Sequence, residues 1–100
     1  MVKAPDCAFS SAVVDVKGET FDVEVYPNPV SENIKVKYSG NVALYNNSTI
    51  NIRDISGRLM FLKLVTDTET IIDMTTFSPG IYLIESSNND YSTTLKLVKI

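Results

Sequence analysis

Apolar and polar residues alternate in two clean stretches near the start of the chain. Phe21–Tyr26 places Phe21, Val23 and Val25 on one face and Asp22 and Glu24 on the other. Asn33–Tyr38 places Ile34, Val36 and Tyr38 against Lys35 and Lys37. A period of two is the signature of a strand with one buried face. Between them, Tyr26-Pro27-Asn28-Pro29 cannot continue a ladder. Each proline lacks an N–H, fixes its own φ and pushes its predecessor out of the α region, so the segment reads as a rigid corner.

Shorter strands follow. Val42–Tyr45 is a candidate short strand between the turns Ser39–Asn41 and Asn46–Ser48. Ile50–Arg53 points Ile50 and Ile52 inward, and Leu59–Val65 is its hairpin partner, with either face available for burial. Asp54-Ile55-Ser56-Gly57 makes the hairpin turn: Gly57 supplies a positive φ, and the Asp54 carboxylate accepts from the Ser56 N–H. Thr70–Met74 is a short strand. Gly80–Ser86 is a strong one with Ile81 and Leu83 buried and Tyr82 a further candidate for burial, entered after Pro79. Beyond the turn Asn88–Asp90, Tyr91–Ile100 is the last strand, with Leu95 and Leu97 on one face and Lys96 and Val98 on the other. No segment holds a 3.6-residue period. Short strands with turn signals between them predict an all-β fold, an immunoglobulin-like β-sandwich of about seven antiparallel strands. Residues 1–20 read as an N-terminal arm or linker with Ala12–Val16 as a possible edge strand, and residues 21–100 as the sandwich domain.

Composition narrows the function classes. Nine Lys and Arg residues against twelve Asp and Glu are interspersed, with no basic stripe for nucleic acid. Apolar runs fall short of a membrane span, and Met1–Phe9 lacks the apolar stretch of a secretory leader. The single cysteine, Cys7, cannot pair within the chain; it is a free thiol or a partner for a domain upstream.

There is no histidine, which removes Ser–His–Asp and Cys–His catalysis and His-ligated metals. No glycine-rich loop opens a helix, so no phosphate cradle is expected. Asp22 with Glu24, and Asp67 with Glu69, read as solvating charges rather than a carboxylate pair facing across a cleft. The tyrosines at 26, 38, 45, 82 and 91 could line a sugar-binding face, but Tyr38 and Tyr82 fit core or rim packing better. No catalytic residue, metal site or cofactor is expected.

Three segments, in order, carry a resemblance. Val25-Tyr26-Pro27-Asn28-Pro29-Val30 comes first, Ile50–Leu59 with its Asp54-Ile55-Ser56-Gly57 turn second, and Phe77-Ser78-Pro79-Gly80-Ile81-Tyr82-Leu83-Ile84 third. With the closing Leu95-Lys96-Leu97-Val98-Lys99, they resemble the C-terminal sorting domain (type A) of proteins secreted by the type IX (Por) system of the Bacteroidetes. The match runs over about Phe21–Ile100. Phe77 stands where the family commonly has Leu, and Ile100 extends past the usual terminal Lys.

The resemblance implies a non-catalytic signal for an upstream cargo domain in the same chain. Its partners are the type IX translocon and a sortase-like protease that removes the domain at the surface. The cargo passes through the periplasm to the cell surface or the medium. On that reading Tyr26, Pro27, Asn28, Pro29, Asp54, Gly57, Pro79, Gly80 and Tyr82 are scaffold positions. Leu95, Lys96, Leu97, Val98, Lys99 and Ile100 are the expected recognition strand, an edge able to accept a partner's strand. Leu95 is expected to anchor that strand by itself, so that Leu97–Ile100 contributes little to the core. Cleavage is expected in the arm before Phe21. The competing reading is an accessory adhesion or carbohydrate-binding sandwich of a surface protein.

Overall fold

The two alternating stretches form neighbouring strands, and the residues on their apolar faces are buried together. The computed structural model of the chain describes residues 10–27 and 29–100; Cys7 and Asn28 lie outside the described residues. The strands are β1 (Ser10–Val16), β2 (Glu19–Tyr26), β3 (Asn33–Gly40), β4 (Thr49–Asp54), β5 (Leu59–Leu64), β6 (Glu69–Asp73), β7 (Gly80–Ser87) and β8 (Ser92–Lys99). They make two four-stranded sheets, β1-β2-β3-β6 and β5-β4-β7-β8, and every strand pairing is antiparallel. Chain crossings from β3 to β4, β5 to β6 and β6 to β7 carry it between sheets, as in a Greek-key sandwich.

Phe21, Val23 and Val25 of β2, Ile34, Val36 and Tyr38 of β3, and Ile50 and Ile52 of β4 form the centre of the core. The outward residues obey the same pleat. Glu24 lies opposite Lys37, and Lys37 opposite Glu69, so unlike charges alternate across the outer face of the first sheet. Ala12–Val16 lies within β1, a sheet edge that buries Val14 and Val16 against the core.

Three sequence expectations are corrected. Val42–Tyr45 is not a strand but a single helical turn, α1. The Asn41 carboxamide oxygen caps it by accepting from the Ala43 N–H at 3.0 Å. The turn drops the Tyr45 ring onto Tyr38, stacked at 4.8 Å, and against Phe21 at 5.4 Å.

In β7 the phase is the reverse of that expected. Tyr82, Ile84 and Ser86 face inward, while Ile81 and Leu83 are exposed. Both parities of Ile81-Tyr82-Leu83-Ile84 are apolar, so alternation could not choose between them. Pairing chose, because Tyr82 lies opposite Leu97 and Ile84 opposite Leu95, and Ser86 completes a buried set of hydroxyls.

Leu97–Ile100 is, third, integral to the core. Leu97 is completely buried and Lys99 nearly so. Beyond the corner, Val30, also fully buried, forms a parallel bridge to Lys99 on the outer side of β8. The Val30 N–H donates to the Val98 carbonyl at 2.8 Å, and the Ile100 N–H to the Val30 carbonyl at 2.9 Å.

Candidate functional site

The residues singled out in the sequence gather at four places, and each is occupied by structural bonding. At the first corner the Tyr26–Pro27 peptide is cis, and the chain beyond Pro29 turns Val30 onto β8. The corner therefore ties one sheet to the last strand of the other.

At the β4–β5 turn, one oxygen of Asp54 accepts from the Ser56 N–H (3.0 Å), the Ser56 hydroxyl (2.6 Å) and the Arg58 N–H (3.0 Å). Its other oxygen meets the Arg58 guanidinium at 3.2 Å. The Ser56 hydroxyl, followed by the Arg58 N–H, holds this carboxyl below the ordinary aspartate range. Gly57 closes the turn with φ +92°, where a side chain would be strained. Asp73 repeats the device at the end of β6: the Thr75 hydroxyl (2.7 Å) and N–H (2.9 Å) lower it. Both aspartates are accounted for as turn anchors.

At the third place Pro79 leads into Gly80, which opens β7 at φ +154°. Tyr82 Oη donates back to the Ser78 carbonyl at 2.7 Å, and its ring meets Phe77 edge-on at 5.3 Å. A tyrosine near the start of this strand bonding upstream backbone is the tyrosine corner of immunoglobulin-like sandwiches. Pro79, Gly80 and Tyr82 thus form one folding unit.

The fourth place is β8, an edge strand in the sheet order. Lys96 is exposed, Leu95 and Val98 are half-buried, Leu97 and Lys99 are inside, and Ile100 is 64% exposed. Lys99 Nζ donates to the Ile100 carbonyl at 3.0 Å, so this lysine folds onto its own strand rather than guarding the edge.

Sequence reasoning missed the polar chain inside the core. Tyr38 Oη and Ser86 Oγ lie 2.6 Å apart, Ser86 Oγ and Tyr91 Oη 2.6 Å, and Tyr91 Oη and Ser48 Oγ 2.7 Å. The Ser48 hydroxyl in turn donates to the Tyr45 carbonyl. Each hydroxyl can give one proton and accept another, so the chain satisfies itself without water. Burial pushes the Tyr38 phenol well above its usual range. Among the described residues these hydroxyls bond one another and the Tyr45 carbonyl. Ser48 stood in the turn Asn46–Ser48 and Ser86 closed the strand Gly80–Ser86, so neither was a candidate; the inward phase of β7 reveals Ser86, and its bond to Tyr91 leads on to Ser48.

Two open hollows flank Asn46 and Asn47 at the α1 end. One, of about 460 Å³, is lined by amides and hydroxyls with Asp90 its sole carboxylate; the other, about 470 Å³, is lined by Tyr45, Leu64, Val65 and Asp67 among others. Neither holds a pair of acids facing across it. Among the described residues no group of three or more His, Cys, Asp or Glu is placed to hold a metal ion. Of the described aromatics none is exposed, and Tyr38, Tyr45, Tyr82 and Tyr91 are buried, so the flat aromatic platform of a sugar-binding face is not present on these residues.

Comparison with known proteins gives one clear relation. The family described as the secretion system C-terminal sorting domain matches residues 24–100, which takes in all three motif segments and β8. No curated protein and no solved structure matches the chain. With two packed antiparallel sheets, motif residues spent on corners and turns, and that match over most of its length, the chain belongs to the family of type IX secretion C-terminal sorting domains, signals for transit to the cell surface or beyond rather than a family of enzymes.

Proposed function

We propose that this chain carries an upstream cargo domain of the same polypeptide through the outer membrane by the type IX system and performs no catalysis itself. In this reading the domain folds in the periplasm, the translocon docks on the folded sandwich, and a surface sortase-like protease then releases it. The observation that carries the proposal is the family match over residues 24–100. The bonding of the motif residues supports it: Asp54, Gly57, Gly80 and Tyr82 are all spent on the scaffold. A signal needs a reproducible surface, and that surface needs a fold held at its corners.

Recognition falls to the end of β8. Of Leu95–Ile100, the side chains that reach solvent are chiefly Lys96 and Ile100, with Leu95 and Val98 partly so. Leu97 and Lys99 act from inside by fixing the strand that displays them. Cleavage is placed ahead of β1. Residues Ser10–Val16 pair with β2 throughout and bury Val14 and Val16, so a protease would have to open the sheet to cut within them.

The test is a fusion of the chain behind a reporter with its own secretory leader, in a bacterium that has the type IX system. The reporter should appear at the surface or in the medium, and should stay inside a strain lacking the translocon. Retention in the periplasm with the domain folded overturns the proposal. Ile100→Asp should lower export while leaving the melting temperature unchanged, and Lys96→Glu should lower export by more than any accompanying fall in melting temperature explains. Unimpaired export in both would remove β8 as the surface that is read.

A further inference from the structure

The segments that carry the family likeness lie far apart along the chain, and the ladders bring them to one end of the second sheet. β4 closes at Asp54, opposite Tyr82 of β7. β7 opens at Gly80, opposite Lys99 at the close of β8. Val30, just past the first corner, bonds to Val98 and Ile100 at the same place. In an antiparallel sheet the close of one strand meets the opening of its neighbour. The β4–β5 turn, the entry to β7 and the close of β8 therefore share that end.

The bonded residues of these segments serve the scaffold, and what each leaves outside at this end is an isoleucine within it or next to it. Ile55, 76% exposed, stands in the β4–β5 turn one position past the Asp54–Tyr82 pair. Ile81, 44% exposed, is turned away from the core beside the inward Tyr82. Ile100, 64% exposed, follows the buried Lys99. Each rests on fixed backbone. The Gly57 N–H donates to the Asp54 carbonyl at 2.9 Å and the Asp54 N–H to the Arg58 carbonyl at 3.0 Å, which closes the turn under Ile55. Ile81 is paired with Val98 in the ladder, and the Ile100 N–H is held by the Val30 carbonyl. Adjacent strands lie about 4.8 Å apart, so β4 and β8, on either side of β7, stand about 10 Å from each other. One partner surface can reach all three side chains.

A lone exposed isoleucine is ordinary on a protein surface. Three on fixed backbone, across strands about 10 Å apart, are not required by a fold that leaves all of them outside. The opposite end of the same sheet is different. There Ser87 lies opposite Ser92, and Ser87, Asn89 and Asp90 line a hollow with Asn46 and Asn47. Amides, hydroxyls and a carboxylate give up bonds to water when a partner covers them, whereas isoleucine gains by leaving water. Of the two ends, the one that gathers the motif segments is the one that gains by being covered.

We infer that Ile55, Ile81 and Ile100 together form the contact that the type IX translocon reads. The inference rests on the sorting role proposed above and extends the read surface from the end of β8 to the turn and the strand beside it. The residues that mark the chain as a sorting signal hold this end together, which ties the surface they display to the partner that sorts. A second copy of the chain is the poorer occupant. Strands about 4.8 Å apart and residues about 3.3 Å apart along them give a patch on the order of 100–200 Å². That is well under the roughly 800 Å² per partner of a stable interface. Two copies are not held together by so little, whereas a partner that takes up a cargo in transit must also let it go. Because the three isoleucines come from separate segments, the signal belongs to the folded domain, and a peptide of the last strand alone does not carry it.

The test uses the reporter fusion with Ile55→Thr, Ile81→Thr and Ile100→Thr, singly and together, and melting curves of the same domains. Each single variant should lower export about threefold or more and the triple variant about tenfold or more. Melting temperatures should stay within about 2 °C of the parent's, since none of the three side chains is in the core. Valine at each position, which restores the apolar surface, should restore export. Ile71→Thr is the control: Ile71 is 61% exposed on the other sheet, away from this end, and its loss should leave export unchanged. Parental export of the triple variant, an equal fall for Ile71→Thr, or losses that follow the melting temperatures would each overturn the inference while the sorting role stands. A dimer of the purified chain that the triple variant abolishes would assign the surface to a second copy and overturn it likewise. Retention of the unmodified fusion in the periplasm would overturn the sorting role itself, and this inference with it.

Discussion

Deleting Leu97–Ile100 should unfold the domain or come close to it, and the magnitude can be worked from the contacts. Leu97 is completely buried opposite Tyr82, and its burial is worth about 1.5–3 kcal/mol. Two backbone bonds to Val30 are lost with Val98 and Ile100, each contributing about 0.5–1.5 kcal/mol. Together these give about 2.5–6 kcal/mol before counting the uncovering of Val30 and Tyr82. A domain of this size is stable by about 5–15 kcal/mol in all. With a melting temperature that moves about 4–8 °C per kcal/mol, the expected drop exceeds about 10 °C. Circular dichroism melts of the intact and truncated chains measure it directly. A truncated chain melting within about 5 °C of the intact one would refute the placement of Leu97 in the core. It would also refute the Val30 bridge as a structural tie. Export lost on truncation therefore cannot by itself identify a recognition sequence, which is why single outward-facing substitutions are the informative variants.

Three further perturbations probe the scaffold. Gly40→Ala should destabilise by about 1–3 kcal/mol, because φ is +126° there and the new Cβ would sit 2.9 Å from Phe21 Cβ; a melting curve identical to the parent's would contradict this. Ser86→Ala removes the middle of the hydroxyl chain and strands the Tyr38 hydroxyl inside, for a loss of about 1–3 kcal/mol by chemical denaturation. Asp54 and Asp73 have lowered carboxyl pKa values when folded, so the stability they contribute is present above the ordinary aspartate range and is lost as pH falls through their folded values. Unfolding midpoints measured from neutral pH down into that acid range should fall less steeply for Asp54→Asn than for the parent, and an unchanged slope would show that the turn carries no such linkage.

The sandwich was legible where one parity was apolar and the other charged. In β2 and β3, Asp22, Glu24, Lys35 and Lys37 mark the outside without ambiguity. The Asp54 turn was legible because its chemistry is local, reaching only to Ser56 and Arg58. What could not be read was set by distant partners. The phase of β7 depends on Leu95 and Leu97, and the inward turn of Ser86 depends on Tyr38, 48 residues away. α1 stayed hidden for a related reason: Val42–Tyr45 is too short to show a helical period, and its direction is fixed by Tyr45 stacking on Tyr38.

The same distinction between local and distant determinants bears on how a folded signal can be read at all. A partner meets only what the sheets leave outside, so burial sorts the residues of Leu95–Ile100 by how each could act on it. Within those six residues Leu97 and Lys99 are buried and can influence a docking partner only through the position of the strand. Lys96 and Ile100 present their side chains outward and can influence it directly. If the end of β8 is read, export should track the chemistry of Lys96 and Ile100 at constant stability. It should track stability alone for Leu97 and Lys99. Plotting export against melting temperature for substitutions at all four positions separates the two behaviours. The inward pair should fall on one curve with unrelated core variants such as Ile52→Ala, and the outward pair should fall below it. All four positions lying on the common curve would mean that the strand serves the fold only and that the translocon docks elsewhere on the sandwich.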